Sequence, residues 1–404
     1  MTDEPTQDDV LRAQQEAQFV GRAQRRREFL DSIRLPAGDP RHKSLFTIHG
    51  VAGIGKTYLT QQLRRDAEGC GAVCGYADES SYDVPQTISA LARDLARAGH
   101  PLKRFDRRFA VYQDRRHQLE ADPQAPPGAF EFVARMALKT GVQLAKNTPV
   151  LSLAADVVDP AATAEQAERL RAYLKRKLRK SDDVQLLLSP ADILTPLLVE
   201  DLTELCRRRS VVLLLDTFEQ TSPYLESWLA DLFKGRYGAV PGNVTVVVSG
   251  QQPLDRNLWI AHRGMISDIA LEEFGTEEAR ELLRKLGVQD GTVEETILEL
   301  SSGLPLLLAM LGNEHPESAD EVGDHTGDAV ERFLRWVSDE DHKEAALAGA
   351  LPRALNHDIY RALTGDAHRA ADFNWLLGQP FVTKSAGAGT YHGVVRAQML
   401  RFRR

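Results

Sequence analysis

The sequence predicts an α/β fold: a parallel sheet with helices on both faces, followed by smaller helical parts. Three observations carry this reading. Val211-Val212-Leu213-Leu214-Leu215 is an uninterrupted apolar run, as expected of a strand covered on both faces, and it ends at once in Asp216. Val244-Thr245-Val246-Val247-Val248-Ser249 is a second such run and leads into Gly250-Gln251-Gln252. Upstream, the β-prone stretch Ser44–His49 passes through a glycine-rich octet into Tyr58–Glu68, where Leu59 and Leu63 stand one helical turn apart.

The octet is Gly50-Val51-Ala52-Gly53-Ile54-Gly55-Lys56-Thr57, and strand, octet and helix together give the P-loop pattern in its required context. Glycines let backbone N–H groups turn inward around phosphate oxygens, at the positive end of the new helix. Lys56 is expected to reach the β- and γ-phosphates of ATP, and the Thr57 hydroxyl to hold Mg2+. Gly50, Ala52, Gly53, Ile54, Gly55 and Tyr58 complete the expected nucleotide contacts in this segment.

Asp216, at the end of its apolar strand, is expected to meet Mg2+ through water, making Thr57 and Asp216 the metal residues. Many ATPases follow this aspartate with a second acid that positions the attacking water; here the next residue is Thr217, and the nearest replacement is Glu219. The catalytic set is therefore Lys56, Asp216 and Glu219, and binding is more directly legible than hydrolysis. Gln251, at the tip of the second apolar strand, is placed to sense the γ-phosphate; the plainer reading is an ordinary loop amide.

At 404 residues the chain exceeds one ordinary core and suggests two to three domains. Its 43% hydrophobic and 27% charged residues are those of a water-soluble globular protein. A net charge of −8 excludes an overall basic field drawing the molecule onto nucleic acid, though not local patches. No 18-residue apolar run exists and Met1–Asp9 is polar and acidic, so neither a membrane span nor a signal peptide is expected, and a cytoplasmic location is. Cys70, Cys74 and Cys206 are too few and scattered for a disulfide framework or a zinc site, and read as reduced thiols.

Residues 1–39 form an N-terminal segment with Val20-Gly21-Arg22 and a charged helix reaching about Ile33. The P-loop domain spans 40–273. Thr57 and Asp216 lie 159 residues apart, more than one crossover needs, so a helical insertion is expected over about 100–195, broken near Pro123–Gly128. Within it Arg171–Lys180 carries six positive charges, with Leu170, Leu174 and Leu178 as a stripe. That reads as an amphipathic helix with a solvated basic face, a docking surface for nucleic acid or an acidic partner being the alternative. Met136–Val158 reads as buried helix rather than a membrane-surface segment.

A helical lid follows over 274–312. Thr276-Glu277-Glu278 reads as an N-cap with acids in the first turn, Leu282, Leu283 and Leu286 as the apolar face, and Gly287 as a C-cap. A second helix is expected at 292–300, and Gly303-Leu304-Pro305-Leu306 opens a third, with Pro305 in its first turn. After a linker at 313–328, residues 329–404 hold helical patterns at 329–338, 341–350, 355–364 and 370–378. A hairpin of Phe381–Lys384 and Thr390–His392 comes next, then a helix at 394–402. Helices followed by a small β wing make a winged-helix domain.

Taken in order, these pieces resemble the STAND ATPases, the signalling class that includes NB-ARC and NACHT proteins, in a bacterial form. The resemblance rests on Val20-Gly21-Arg22, the octet, Asp216, the segment 249–252, Gly303-Leu304-Pro305-Leu306 and His392. It implies adenine contact by the Val20–Arg22 segment, with Val20 and Arg22 as the contacting residues. It also implies that Pro305 packs near the base and that His392 clamps the β-phosphate of ADP. The function it implies is an ATP/ADP switch of signal transduction, closed and monomeric with ADP, opening and self-associating with ATP, and slow in hydrolysis. Three positions depart from the pattern: Thr217, Gln251 where many NB-ARC proteins have arginine, and Gly393 in place of an aspartate. Members of the class also carry sensor and effector domains, so the chain is expected to be the switch module of a longer product. The alternatives are a regulatory ATPase contacting duplex DNA through the winged helix, and a P-loop kinase, for which no acceptor-binding constellation stands out.

Overall fold

A computed structural model describes residues 19–126 apart from Ala52, isolated positions between 129 and 137, and 160–313 apart from Arg179 and Ser302. It also describes Ser318, 340–365, 370–377, 382–385, 388–391, Arg396, Met399 and Leu400. His392, the expected helix at 329–338 and nearly all of 136–158 and 394–402 lie outside the described residues. The chain divides into two compact units: Arg26–Ile48 with Leu63–Ile269, and Met1–Arg25 with His49–Gln62 and Ala270–Arg404.

The first unit is built on a parallel sheet of β1 (Leu45–His49), β2 (Val73–Ala77), β3 (Val211–Leu215), β4 (Val244–Gly250) and β5 (Ile266–Ala270). Their order is β2-β3-β4-β1-β5. β3 runs parallel to both neighbours, Val211 standing level with Val73 on one side and Val244 on the other. At the far edge Ser44 N donates to Met265 O at 3.0 Å and Leu271 N to His49 O at 2.7 Å, a rising pair of bonds that makes β5 parallel to β1. Every residue of β3 and β4 is buried, which is why their sequences read as continuous apolar runs.

Two strands had no such signal. β2 is Val-Cys-Gly-Tyr-Ala, and its central glycine weakens strand character in isolation. A Cβ on Gly75 would stand 3.2 Å from Leu91 O and from the Leu95 side chain, so the glycine lets a helix press onto the sheet. That helix is α3 (Val84–Arg97), which follows α1 (Ala23–Arg34) and α2 (Lys56–Gly69) in chain order. β5 is an edge strand in which only Ile269 is buried, so its alternation is lost among polar residues.

Between β2 and β3 lie α3, α4 (Lys103–Glu120), α5 (Pro160–Lys177), α6 (Ser181–Leu188) and α7 (Pro190–Cys206), a helical layer over the predicted insertion. Buried carboxylates fasten it. Asp201 of α7 accepts from Arg104 N at 2.8 Å and Phe105 N at 3.0 Å, the first-turn amides of α4, whose own N-cap Leu102 has no side-chain acceptor. Asp183 of α6 takes Arg108 Nη1 at 3.0 Å and Arg115 Nε at 3.2 Å from the same helix. Leu170 and Leu174 are buried as the stripe predicts, while α5 ends at Lys177, just before Leu178. Part of the basic face is spent locally: Lys177 pairs with Asp122 at 2.6 Å, and Arg176 lies over the Tyr173 ring. α8 (Phe218–Phe233) follows β3 and anchors through Trp228, whose Nε1 donates to Thr195 Oγ1 of α7 at 3.0 Å.

In the second unit, α9 (Thr276–Lys285), α10 (Gly291–Ser301) and α11 (Pro305–Asn313) share an apolar cluster that takes in Val20, Leu283, Ile297 and Leu308. Thr276 is not the N-cap of α9. Gly275 is, because Glu278 folds back to its amide at 3.3 Å, the reciprocal half of a capping box. Farther along, α12 (Glu340–Gly349), α13 (His357–Thr364) and α14 (Ala370–Leu377) pack with a hairpin of β6 (Val382–Ser385) and β7 (Ala388–Tyr391). β7 begins at Ala388 rather than Thr390, because Ala388 and Gly389 stand level with Ser385 and Lys384 in the ladder; Gly389 also exchanges backbone bonds with Leu355 at 2.6 and 2.7 Å. Among the described residues, no helix is long and apolar enough to cross a membrane.

The remote cap on α4 is open to test. Asp201→Ala should lower the unfolding free energy by about 1–2 kcal/mol, the usual cost of an orphaned helix N-terminus. Urea unfolding would read this as a lower midpoint at unchanged slope; an unchanged midpoint would mean that solvent caps the helix equally well.

Candidate functional site

β1 delivers the chain into the octet, and α2 begins at Lys56, so Lys56 and Thr57 occupy the first turn of a helix. The loop needs its glycines. Gly50 has φ +154°, and a Cβ there would stand 2.8 Å from Leu271 O; Gly53 has φ +78°, and its Cβ would meet the Leu306 side chain at 2.9 Å. Ile54 is buried, so its offering to a ligand is backbone, whereas Tyr58 is 51% exposed on the outer side of α2. Ala52 lies outside the described residues.

The carbonyls of this loop are claimed by donors from three directions. Lys56 Nζ donates to Gly50 O at 2.9 Å and Val51 O at 3.0 Å. Leu306 N, in the first turn of α11, donates to Gly53 O at 3.2 Å. Arg22 Nη2 donates to Ile54 O at 3.4 Å and Glu272 O at 2.5 Å, with its guanidinium 4.9 Å over the Phe274 ring. Burial lowers the pKa of Arg22 and the nearby Glu278 opposes the shift. With these donors the carbonyls of Gly50, Val51, Gly53 and Ile54 are all satisfied.

Arg22 is itself held. Gly21 and Arg22 both have positive φ, at 70° and 56°, and the Arg22 amide donates to Glu278 Oε1 at 3.0 Å. Val20 is buried in the cluster of α9–α11, so its side chain serves that core. Pro305 opens α11 as predicted. Gly303, just before it, comes so close to Phe274 O that no other residue would fit, and Phe274 N donates back to Gly303 O at 2.8 Å.

At the tips of β3 and β4, in the first unit, Asp216 is 3% exposed. Its Oδ1 accepts from Thr217 N at 2.9 Å and its Oδ2 from Tyr76 Oη at 3.1 Å. Thr217 sits at φ 52°, ψ 40°, an uncommon conformation for a β-branched residue and one that concentrates at functional sites. It turns the chain sharply into α8, whose Glu219 accepts from Gln251 N at 3.2 Å. Glu219 and Gln251, separate predictions from sequence, are thus joined by a hydrogen bond.

Sequence reasoning missed Tyr76, Glu278 and the Leu306 amide. Tyr76 lies on the strand that gave no signal; Glu278 was read only as a first-turn acid; a backbone amide leaves no trace in residue type. The three cysteines are free, and burial pushes the Cys74 thiol up to about 12, removing it as a nucleophile.

No protein-family model matches the chain, and no curated protein matches it. Among solved structures it is similar to a Walker-type ATPase of Pyrococcus abyssi, at 12% identity over 99% of both chains with a TM-score of 0.45. It is also similar to a STAND protein with a tetratricopeptide repeat sensor from Pyrococcus horikoshii, at 14% identity and TM-score 0.36, over 95% of this chain and 42% of that one. Cdc6p of Pyrobaculum aerophilum matches at 14% identity and TM-score 0.38, over 100% of this chain and 98% of its own. Likenesses this distant transfer neither ligand nor activity.

Glu278 is placed to order the Gly21-Arg22 turn. Glu278→Ala should reduce the exchange protection of the Arg22 amide by at least about tenfold, the effect of losing one charge-assisted bond. Protection in β3 and β4 should stay as it was. Equal protection of Arg22 in both proteins would mean that the turn holds without the carboxylate.

Proposed function

We propose that the chain is an adenine-nucleotide switch, binding ATP or ADP with Mg2+ and transmitting the nucleotide state as a change of shape. One observation carries the reading: the glycine-rich loop is hydrogen-bonded by Arg22 of the N-terminal segment and by Leu306 of the lid helix. A ligand that reshapes this loop would act on both attachments, as a switch requires and a plain hydrolase does not. The differential affinity of closed and open forms for ADP and ATP sets how far the equilibrium moves.

The residues suit the ligand. Mg2+ on a nucleotide asks for one or two carboxylates besides phosphate oxygens and water, and Asp216 with the Thr57 hydroxyl supplies that chemistry. Lys56 is the cation for the β- and γ-phosphates, at a helix N-terminus that adds its own positive end. The Val20–Arg22 segment and Pro305 would flank the base, and His392 would close on the β-phosphate of ADP, as the STAND resemblance implies. Hydrolysis would be slow: Thr217 offers no base, and Glu219, the remaining candidate, has a carboxylate oxygen engaged by the Gln251 amide. In this reading the ADP form is closed and monomeric, and the ATP form opens and self-associates.

Lys56→Ala removes the main point charge while leaving the fold. Calorimetric titration with Mg2+–ADP should show binding by the wild type and at least about a tenfold loss in the variant, since the charge-assisted bond to the β-phosphate contributes roughly 1.5–3 kcal/mol. Undiminished affinity in a folded Lys56→Ala protein would place the nucleotide, if any, elsewhere.

A further inference from the structure

The aspartate at the end of β3 is held from both sides, and one of its two partners lies on a different strand. Asp216 N continues the β2–β3 ladder by donating to Ala77 O at 2.9 Å, so the residue is still in register one step past β3. Tyr76 stands level with Leu214, two residues before Asp216, and side chains two apart point to the same face of a strand. Tyr76 and Asp216 therefore rise on one face a single pleat apart, and the phenol has the length to reach across. Its hydroxyl meets Oδ2 at 3.1 Å while the Thr217 amide meets Oδ1 at 2.9 Å.

A carboxylate has two side-chain torsions, and two fixed donors, one on each oxygen, set both. Neither donor is a cation, and each oxygen retains a further lone-pair direction for a metal-bound water. The left-handed Thr217 backbone carries the amide to its place, and the sheet carries the phenol. This is the arrangement by which outer partners orient a metal-binding group.

We propose that Tyr76 is a positioning residue for the metal: by holding Asp216 in one orientation, it sets the affinity of the nucleotide-bound protein for Mg2+. The proposal rests on the nucleotide-binding reading above. It assigns to β2, a strand with no recognisable motif, a role in the metal dependence of the switch. In this role Tyr76 acts through Asp216 and not as a metal ligand.

The test separates metal affinity from nucleotide affinity. Mn2+ is titrated into the ADP-saturated full chain and followed by its paramagnetic resonance signal, and ADP binding is measured in EDTA. Tyr76→Phe should weaken Mn2+ binding by about tenfold or more, the usual effect of losing such an outer partner, with ADP affinity in EDTA unchanged within about twofold. In an Asp216→Asn background, Tyr76→Phe should add nothing further, because the two residues act as one unit. Unchanged Mn2+ affinity in folded Tyr76→Phe overturns the proposal, as does an equal loss of ADP affinity with and without metal, or full additivity with Asp216→Asn. A wild type that binds no adenine nucleotide, in EDTA or with metal, overturns the underlying reading as well. That result is visible before any variant is made.

Discussion

A glycine-rich loop between a buried strand and a helix has carbonyls that no sheet or helix ladder satisfies, and those carbonyls need donors of their own. Here the donors are the loop's own Lys56, the Arg22 side chain and the Leu306 amide, meeting the carbonyls of Gly50, Val51, Gly53 and Ile54. This constraint organises the unit around the octet. It explains why Gly53 has no room for a side chain, since Leu306 occupies that space. It explains why Arg22 is half-buried with a lowered pKa and yet satisfied, its charge shared between two carbonyls and the Phe274 ring. It also gives Glu278 two tasks, capping α9 and fixing the turn that aims Arg22.

In the other unit, buried aspartates play the corresponding part. Asp216, Asp201 and Asp183 are each almost completely removed from solvent, and each meets donors from elements distant in sequence. An unpaired buried carboxylate is costly, whereas one surrounded by amides, a phenol or guanidinium groups defines how those elements sit. Asp201 and Asp183 fasten α4 to α7 and α6. Asp216 fastens the tip of β3 to β2, so the residue expected to serve the metal is part of the sheet's own bonding.

The departures from the STAND pattern take a physical form. Thr217, where a second acid is usual, is the left-handed pivot between β3 and α8. That pivot brings Glu219 to the β4 tip, where it receives the Gln251 amide. An acid two residues late is thus tied to the expected sensing residue, a link between two strand tips that a reading of either segment alone would not contain.

Residue order by itself determined the glycine-rich loop, the two central strands, the helices after the sheet and the hairpin. Each is a local matter: glycine spacing, an apolar run, a helix start at Pro305. Tertiary structure decided the rest. β2 exists as a strand because its neighbour supplies a ladder and α3 needs the space at Gly75; in isolation Val-Cys-Gly-Tyr-Ala is a weak strand. The N-terminus of α4 is capped from nearly a hundred positions away by Asp201, a distance at which no capping pattern is legible. Arg22 and Leu306 meet the loop, and Glu278 meets Arg22, through bonds spanning 32 to 256 positions, two of them made by backbone amides that carry no residue identity. Local chemistry named the groups expected to receive phosphate; which groups hold them in place depended on contacts that form only when the chain closes on itself.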